Sequence, residues 1–157
     1  KDISGLSKKS MTNYVGNAKG EEIADYQFTY KGAAGSETVS STNVYFYLAA
    51  HKRASDSGVT ADDAMTASAS YRGDKSTADY TDKTDLRSRT HYTGEKGEEL
   101  ADFAQSFKAD GTVRDTTIYT YDGDVLDYTT TYNQGTEDSK DISGLSKKSM
   151  TNYVGNA

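Results

Sequence analysis

Residues 118–132 read Ile-Tyr-Thr-Tyr-Asp-Gly-Asp-Val-Leu-Asp-Tyr-Thr-Thr-Thr-Tyr, and the period of that run decides the fold. In its second half Leu126, Tyr128, Thr130 and Tyr132 fall on one side of an extended chain, with Asp127, Thr129 and Thr131 on the other. Tyr119 and Tyr121 alternate in the same way before the break. A period of two is the pleat of a half-buried strand, and Thr and Tyr pack well across strands. Asp122-Gly123-Asp124 separates the two runs as a tight hairpin signal, because glycine accepts the positive φ that such a turn requires.

The pattern extends outward from there. Tyr26, Phe28 and Tyr30 share one face of a second alternating run, and Asp25, Gln27 and Thr29 share the other. A phrase of Tyr, any residue and Gly recurs at Tyr14–Gly16, Tyr30–Gly32, Tyr71–Gly73, Tyr92–Gly94 and Tyr121–Gly123, often followed by Ala-Asp-aromatic. Asp110-Gly111 reads as another turn. The expected turn glycines are Gly16, Gly32, Gly73, Gly94, Gly111, Gly123 and Gly135. Proline is absent, so every backbone N–H can join a ladder. The expected fold is all-β, with stacked antiparallel β-hairpins in a meander, β-solenoid-like stack or β-sandwich array. Roughly eight to twelve strands per unit are anticipated. The only helix candidate is Thr60 to Met65, where Thr60 and Asp63 have capping-box-like spacing. It competes with a strand that already alternates from Met65 to Tyr71.

Two larger repeats enclose these hairpins. Lys19 to Lys31 (KGEEIADYQFTYK) aligns with Lys96 to Lys108 (KGEELADFAQSFK), which divides residues 1–139 into diverged halves of about 1–77 and 78–139. Lys1 to Ala18 (KDISGLSKKSMTNYVGNA) then recurs letter for letter as Lys140 to Ala157. Residues 1–139 are therefore read as one full unit and 140–157 as the start of the next. Ala157 falls just before the place where Lys-Gly-Glu-Glu would follow, so the repeat is expected to have no natural start. Identity at exposed-looking positions points to a long array of near-identical units, which extends reach and multiplies contacts.

Composition narrows the function classes. Apolar residues make up 34% of the chain, and mean hydropathy is −0.82. Thirteen Tyr and four Phe stand at regular places, whereas disordered chains are poor in aromatics. A thin core built largely of aromatic rings is expected, from Tyr14, Tyr26, Phe28, Tyr30, Tyr45, Tyr47, Tyr71, Tyr92, Phe103, Phe107, Tyr119, Tyr121, Tyr128 and Tyr132. A net charge of −6 argues against nucleic acid. No apolar run approaches the roughly 18 residues of a membrane span. Without cysteine there is no disulfide or thiol chemistry, which suits a secreted array.

The run Tyr119-Thr120-Tyr121-Asp122-Gly123-Asp124-Val125-Leu126 resembles the YD repeats of RHS-type bacterial surface and toxin proteins, in which Tyr-Asp, a nearby Gly and a hydrophobic residue open successive β-hairpins. Gly123 directly follows Asp122 here, where that family places about two residues between Asp and Gly and often an Arg after it. The resemblance implies stacked hairpins of a large bacterial surface protein.

Few residues carry candidate chemistry. Glu21-Glu22 and Glu98-Glu99 are adjacent pairs, and neighbouring strand residues point to opposite faces, so neither pair can serve one substrate. No convergent acid and base are legible, and no enzyme is expected. Asp122, Asp124 and Asp127, or Asp62 and Asp63, could bind calcium weakly, although turn aspartates more often bond their own backbone. No other cofactor is expected. His51 and His91 have no neighbouring ligand at metal spacing, and His91 reads as an exposed polar position. Arg72-Gly73-Asp74 spells an adhesion tripeptide at a turn tip. The Tyr stripes could serve as a carbohydrate platform, and the Ser/Thr-rich strands suit O-glycosylation. The reading that results is a structural protein, a repeat segment of a long extracellular fibre or surface filament, bacterial, whose partners are neighbouring repeats or identical subunits. One alternative is a multivalent adhesin for glycan or host receptor. Another is a pilin-like subunit that polymerises by β-strand exchange.

Overall fold

The computed structural model describes residues 5–154. The outer ends of the duplicated segment, Lys1–Ser4 and Gly155–Ala157, lie outside the described residues. The described chain is all-β: nine antiparallel strands in one open sheet, each strand hydrogen-bonded to the next in sequence. They are β1 (Ser10–Val15), β2 (Ile23–Lys31), β3 (Thr38–Tyr47), β4 (Met65–Arg72), β5 (Leu86–Thr93), β6 (Leu100–Phe107), β7 (Val113–Asp122), β8 (Val125–Asn133) and β9 (Lys147–Asn152). The fold is thus a meander of successive hairpins.

Register divides the side chains into two faces. Val44 pairs with Ala69, Ala69 with Arg89, Arg89 with Gln105, Gln105 with Thr116 and Thr116 with Tyr132. Because side chains of paired residues share a face, this row crosses six strands on one side. Its neighbours there include Phe46, Ala67, Tyr71 and Phe107, all buried. The opposite face carries a row that is polar throughout, Thr12, Gln27, Asn43, Ser70, Ser88, Ser106, Asp115 and Asn133.

A single sheet cannot bury its apolar face alone. Here three long connections take the place of a second layer. Ala78 and Tyr80, from the β4–β5 connection, pack into the main cluster with Val44, Phe46, Tyr71, Leu86, Phe107 and Val113. Ala54, Val59 and Ala61, from the β3–β4 connection, pack with Ile23 and Tyr47. The third connection, Gln134–Ser146, leads to β9. Thr60–Met65 forms no helix: Asp63 Oδ2 accepts from Thr60 N at 2.7 Å and from Thr60 Oγ1 at 2.9 Å, closing a turn from which β4 starts at Met65.

Every strand pair contains one register shift. One of them changes the reading of Asp25. Between Tyr26 opposite Asn13 and Ala24 opposite Tyr14, Asp25 is left without a partner on β1. A bulged residue is free to turn from the alternation, and Asp25 is 9% exposed and clamped by Arg53 instead of standing on a polar outer face.

Candidate functional site at the junction and the sheet edges

The aromatic positions divide by face and by depth. Tyr71 and Tyr47 are buried at 0% and 3% exposure, and Phe28, Phe103 and Phe107 are also buried. Tyr26, Phe28 and Tyr30 form one contiguous row, with ring centroids 5.0 and 6.0 Å apart. Tyr45, Tyr92, Tyr119, Tyr121, Tyr128 and Tyr132 are half-buried, whereas Tyr14 is 61% exposed. Tyr45 and Tyr119 stand on the polar face, in register with Ser68 and Thr129, and Ser68 Oγ lies 3.0 Å from Tyr92 Oη. Burial pushes the hydroxyls of Tyr45 and Tyr119 up, as does the proximity of Tyr92 to both.

All seven expected turn glycines take positive φ. Two show why nothing else fits. A Cβ on Gly94 would lie 2.5 Å from Glu98 O, because the neck of the β5–β6 hairpin brings two backbone segments together. The same turn is tied by a carboxylate: Glu99 Oε2 accepts from Gly97 N at 2.8 Å, as Glu22 does from Gly20 N and Glu37 from Gly35 N. The second glutamate of each expected pair is therefore a turn lock. Gly-x-x-Gly-x-Glu at Gly32 and Gly94 was the sequence signal for it. In the adhesion tripeptide, Arg72 ends β4 and Gly73 has φ 66°. Asp74 turns back on its own loop, its Oδ1 accepting from Ser76 N at 3.1 Å and Ser76 Oγ at 2.9 Å. No three His, Asp or Glu side chains among the described residues converge as a metal-holding group.

The connection joining one expected unit to the next is strapped to the sheet. Gly135 (φ 139°) sits so close that a Cβ there would meet Thr116 Oγ1 at 2.2 Å. Thr116 Oγ1 donates to Gln134 O at 2.8 Å, and buried Gln105 Nε2 donates to Thr136 O at 2.8 Å. Asp138 N donates to Gln105 Oε1 at 2.9 Å. Beside these, Arg89, only 1% exposed, donates to Asp138 Oδ1 at 2.8 Å, Glu137 Oε1 at 3.3 Å and Tyr80 O at 2.6 Å. Its guanidinium lies 4.0 Å from the Tyr80 ring centroid. Lys83 pairs with Glu137, and Lys140 with Asp102. One arginine thus ties two connections to the face they cover.

Both histidines belong to this cluster. His91 is buried, not exposed as its sequence context suggests. Its ring stacks on Phe103 at 4.2 Å, and Nε2 lies 3.3 Å from Asp138 Oδ1. His51 stacks on Tyr80 at 4.1 Å. Burial lowers the pKa of His51, and the neighbouring His91 lowers it further. Burial opposes ionisation of Asp138, but the nearby His91 ring and the hydrogen-bonded Arg89 guanidinium outweigh it and hold the carboxyl well below the usual carboxylate range.

The two copies of the duplicated segment expose the most informative geometry. β1 pairs forward with β2, and Tyr30 N donates to Lys9 O at 2.8 Å. Antiparallel ladders aim alternate residues at the partner, so Lys9, Met11 and Asn13 bond β2, and Ser10 and Thr12 face outward. β9 pairs backward with β8, and Tyr153 N donates to Asp127 O at 2.8 Å. There Ser149, Thr151 and Tyr153 bond β8, and Met150 and Asn152 face outward. Ser149, Thr151 and Tyr153 are the copies of Ser10, Thr12 and Tyr14; Met150 and Asn152 are the copies of Met11 and Asn13. One strand of this sequence has two edges, and each copy uses the one the other leaves free. Side-chain faces agree as well: Met11 lies opposite Phe28 and Met150 opposite Thr130, both on the covered face.

No family model, curated protein or solved structure matches the chain.

Proposed function

We propose that this chain is a segment of a long extracellular structural fibre, bacterial in origin, whose 139-residue units merge into one uninterrupted sheet. The strand that closes one unit opens the next: it bonds β8 behind through Ser149 and Thr151, and the following β2 ahead through Met150 and Asn152. The complementary use of the two edges carries this reading, because no backbone group is asked to bond twice. The strapped junction supports it further, since Gln105, Thr116 and Arg89 hold Gln134–Lys140 against the sheet. Function then lies in length and mechanics. The resemblance to YD-repeat hairpins fits the same setting.

Polymerisation of separate chains by strand exchange uses the same edges. β1 of one chain, having the sequence of β9, would replace it on β8 of another, and assembly would then depend on concentration.

Amide hydrogen exchange tests the proposal. In the 157-residue chain the N–H groups of Met150 and Asn152 face solvent and exchange fast. In a chain of two complete units they should slow by orders of magnitude, to the rate of central strands. Fast exchange of both amides in the two-unit chain would sink the continuous sheet.

A further inference from the structure

The five arginines of the chain have two fates. Arg53 and Arg89 are locked in ion pairs with Asp25 and Asp138. Arg72, Arg87 and Arg114 all line one cleft at the ends of β4–β7, together with Lys108. All four are exposed, and none has a carboxylate within 4.0 Å among the described residues. In a chain of net charge −6, where acidic partners are plentiful, four unpaired cations side by side repel one another. An arriving anion relieves that repulsion.

We propose that this cleft binds a short acidic oligosaccharide segment through its sulfate or carboxylate groups. The cleft has a volume of about 490 Å³, within the roughly 300–1,000 Å³ of small-ligand sites. Guanidinium groups match planar or tetrahedral oxyanions with paired N–H donors. Ser70 and Ser88 stand in register on the floor and supply hydroxyls for sugar hydroxyls. A long nucleic-acid track fits poorly, because Asp85 stands in the wall and the rest of the chain is acidic. Arg114 Nη2 donates to Phe107 O at 3.0 Å, which fixes one side of the cleft. The side chains of Arg72, Arg87 and Lys108 make no hydrogen bond among the described residues, so they are free to close on a ligand. The site lies within one unit and does not depend on the fibre reading.

The test uses the 157-residue chain and titration calorimetry with a heparin-derived tetrasaccharide, a tetragalacturonate and neutral maltotetraose. Binding of the sulfated or the carboxylated probe, but not of maltotetraose, is expected, and which of the two binds identifies the anion. The triple variant R72S/R87S/K108S should weaken that binding at least tenfold while its melting temperature holds. The variant K9S/K19S/K31S, with the same change of charge elsewhere, should stay within twofold. Equal loss in both variants, equal binding of maltotetraose, or equally tight binding of a single-stranded DNA of matched charge would overturn the proposal. So would failure of both acidic probes to bind.

Discussion

Arg89 is the residue on which the most depends, because it bonds the covered face to two separate connections. Removing one partner of a buried ion pair leaves the other charge uncompensated. Arg89→Met should therefore cost about 3 kcal/mol, read as a lower urea midpoint. Gly135→Ala should cost about 2 kcal/mol, since it combines a glycine-only backbone conformation with a clash on Thr116. A melt within 1 °C of the parent would contradict either argument. The pH response follows from the same cluster. The pKa of His51 is lowered in the fold, so its contribution is complete above about 6.5 and is lost as pH falls below that. The carboxyl of Asp138 is also lowered, so its contribution is complete above about 3.9 and fades below it. The melting temperature should decline in two stages on acidification. His51→Asn should flatten the first stage, and Asp138→Asn the second. A single stage unchanged by both variants would show that other groups control acid stability.

At the scale of elements, the period-two runs and the Asp122-Gly123-Asp124 hairpin were legible in sequence because strands and tight turns are local. Gly123 and Asp124 form the two-residue loop between Asp122 and Val125, which pair directly. What the sequence concealed is long-range. Asp25 read as part of a polar strand face and His91 as an exposed polar position. Nothing in the sequence marked Arg89 or Gln105 as buried, since charged and amide side chains are seldom buried without partners. Their partners lie far along the chain: Asp138 is 49 residues from Arg89, and Arg53 is 28 from Asp25. The long connections over the face were equally hidden, because their layer role comes from Ala54, Ala78 and Tyr80 meeting the sheet, not from any period of their own. The strapping of the junction was hidden too, because only the fold brings Gly135 against Thr116.

At the scale of the molecule, the central claim is continuity of one sheet from unit to unit. Residues 1–139, the proposed unit, contribute eight strands, β1 to β8, and strands stack about 4.8 Å apart, so a merged array should advance by about 38 Å per 139 residues. Cryo-electron microscopy of a chain several units long measures that advance directly. Evenly spaced strands through every junction, with an axial repeat near 38 Å, are the predicted result. Compact bodies separated by a variable gap at residues 135–144 would contradict it.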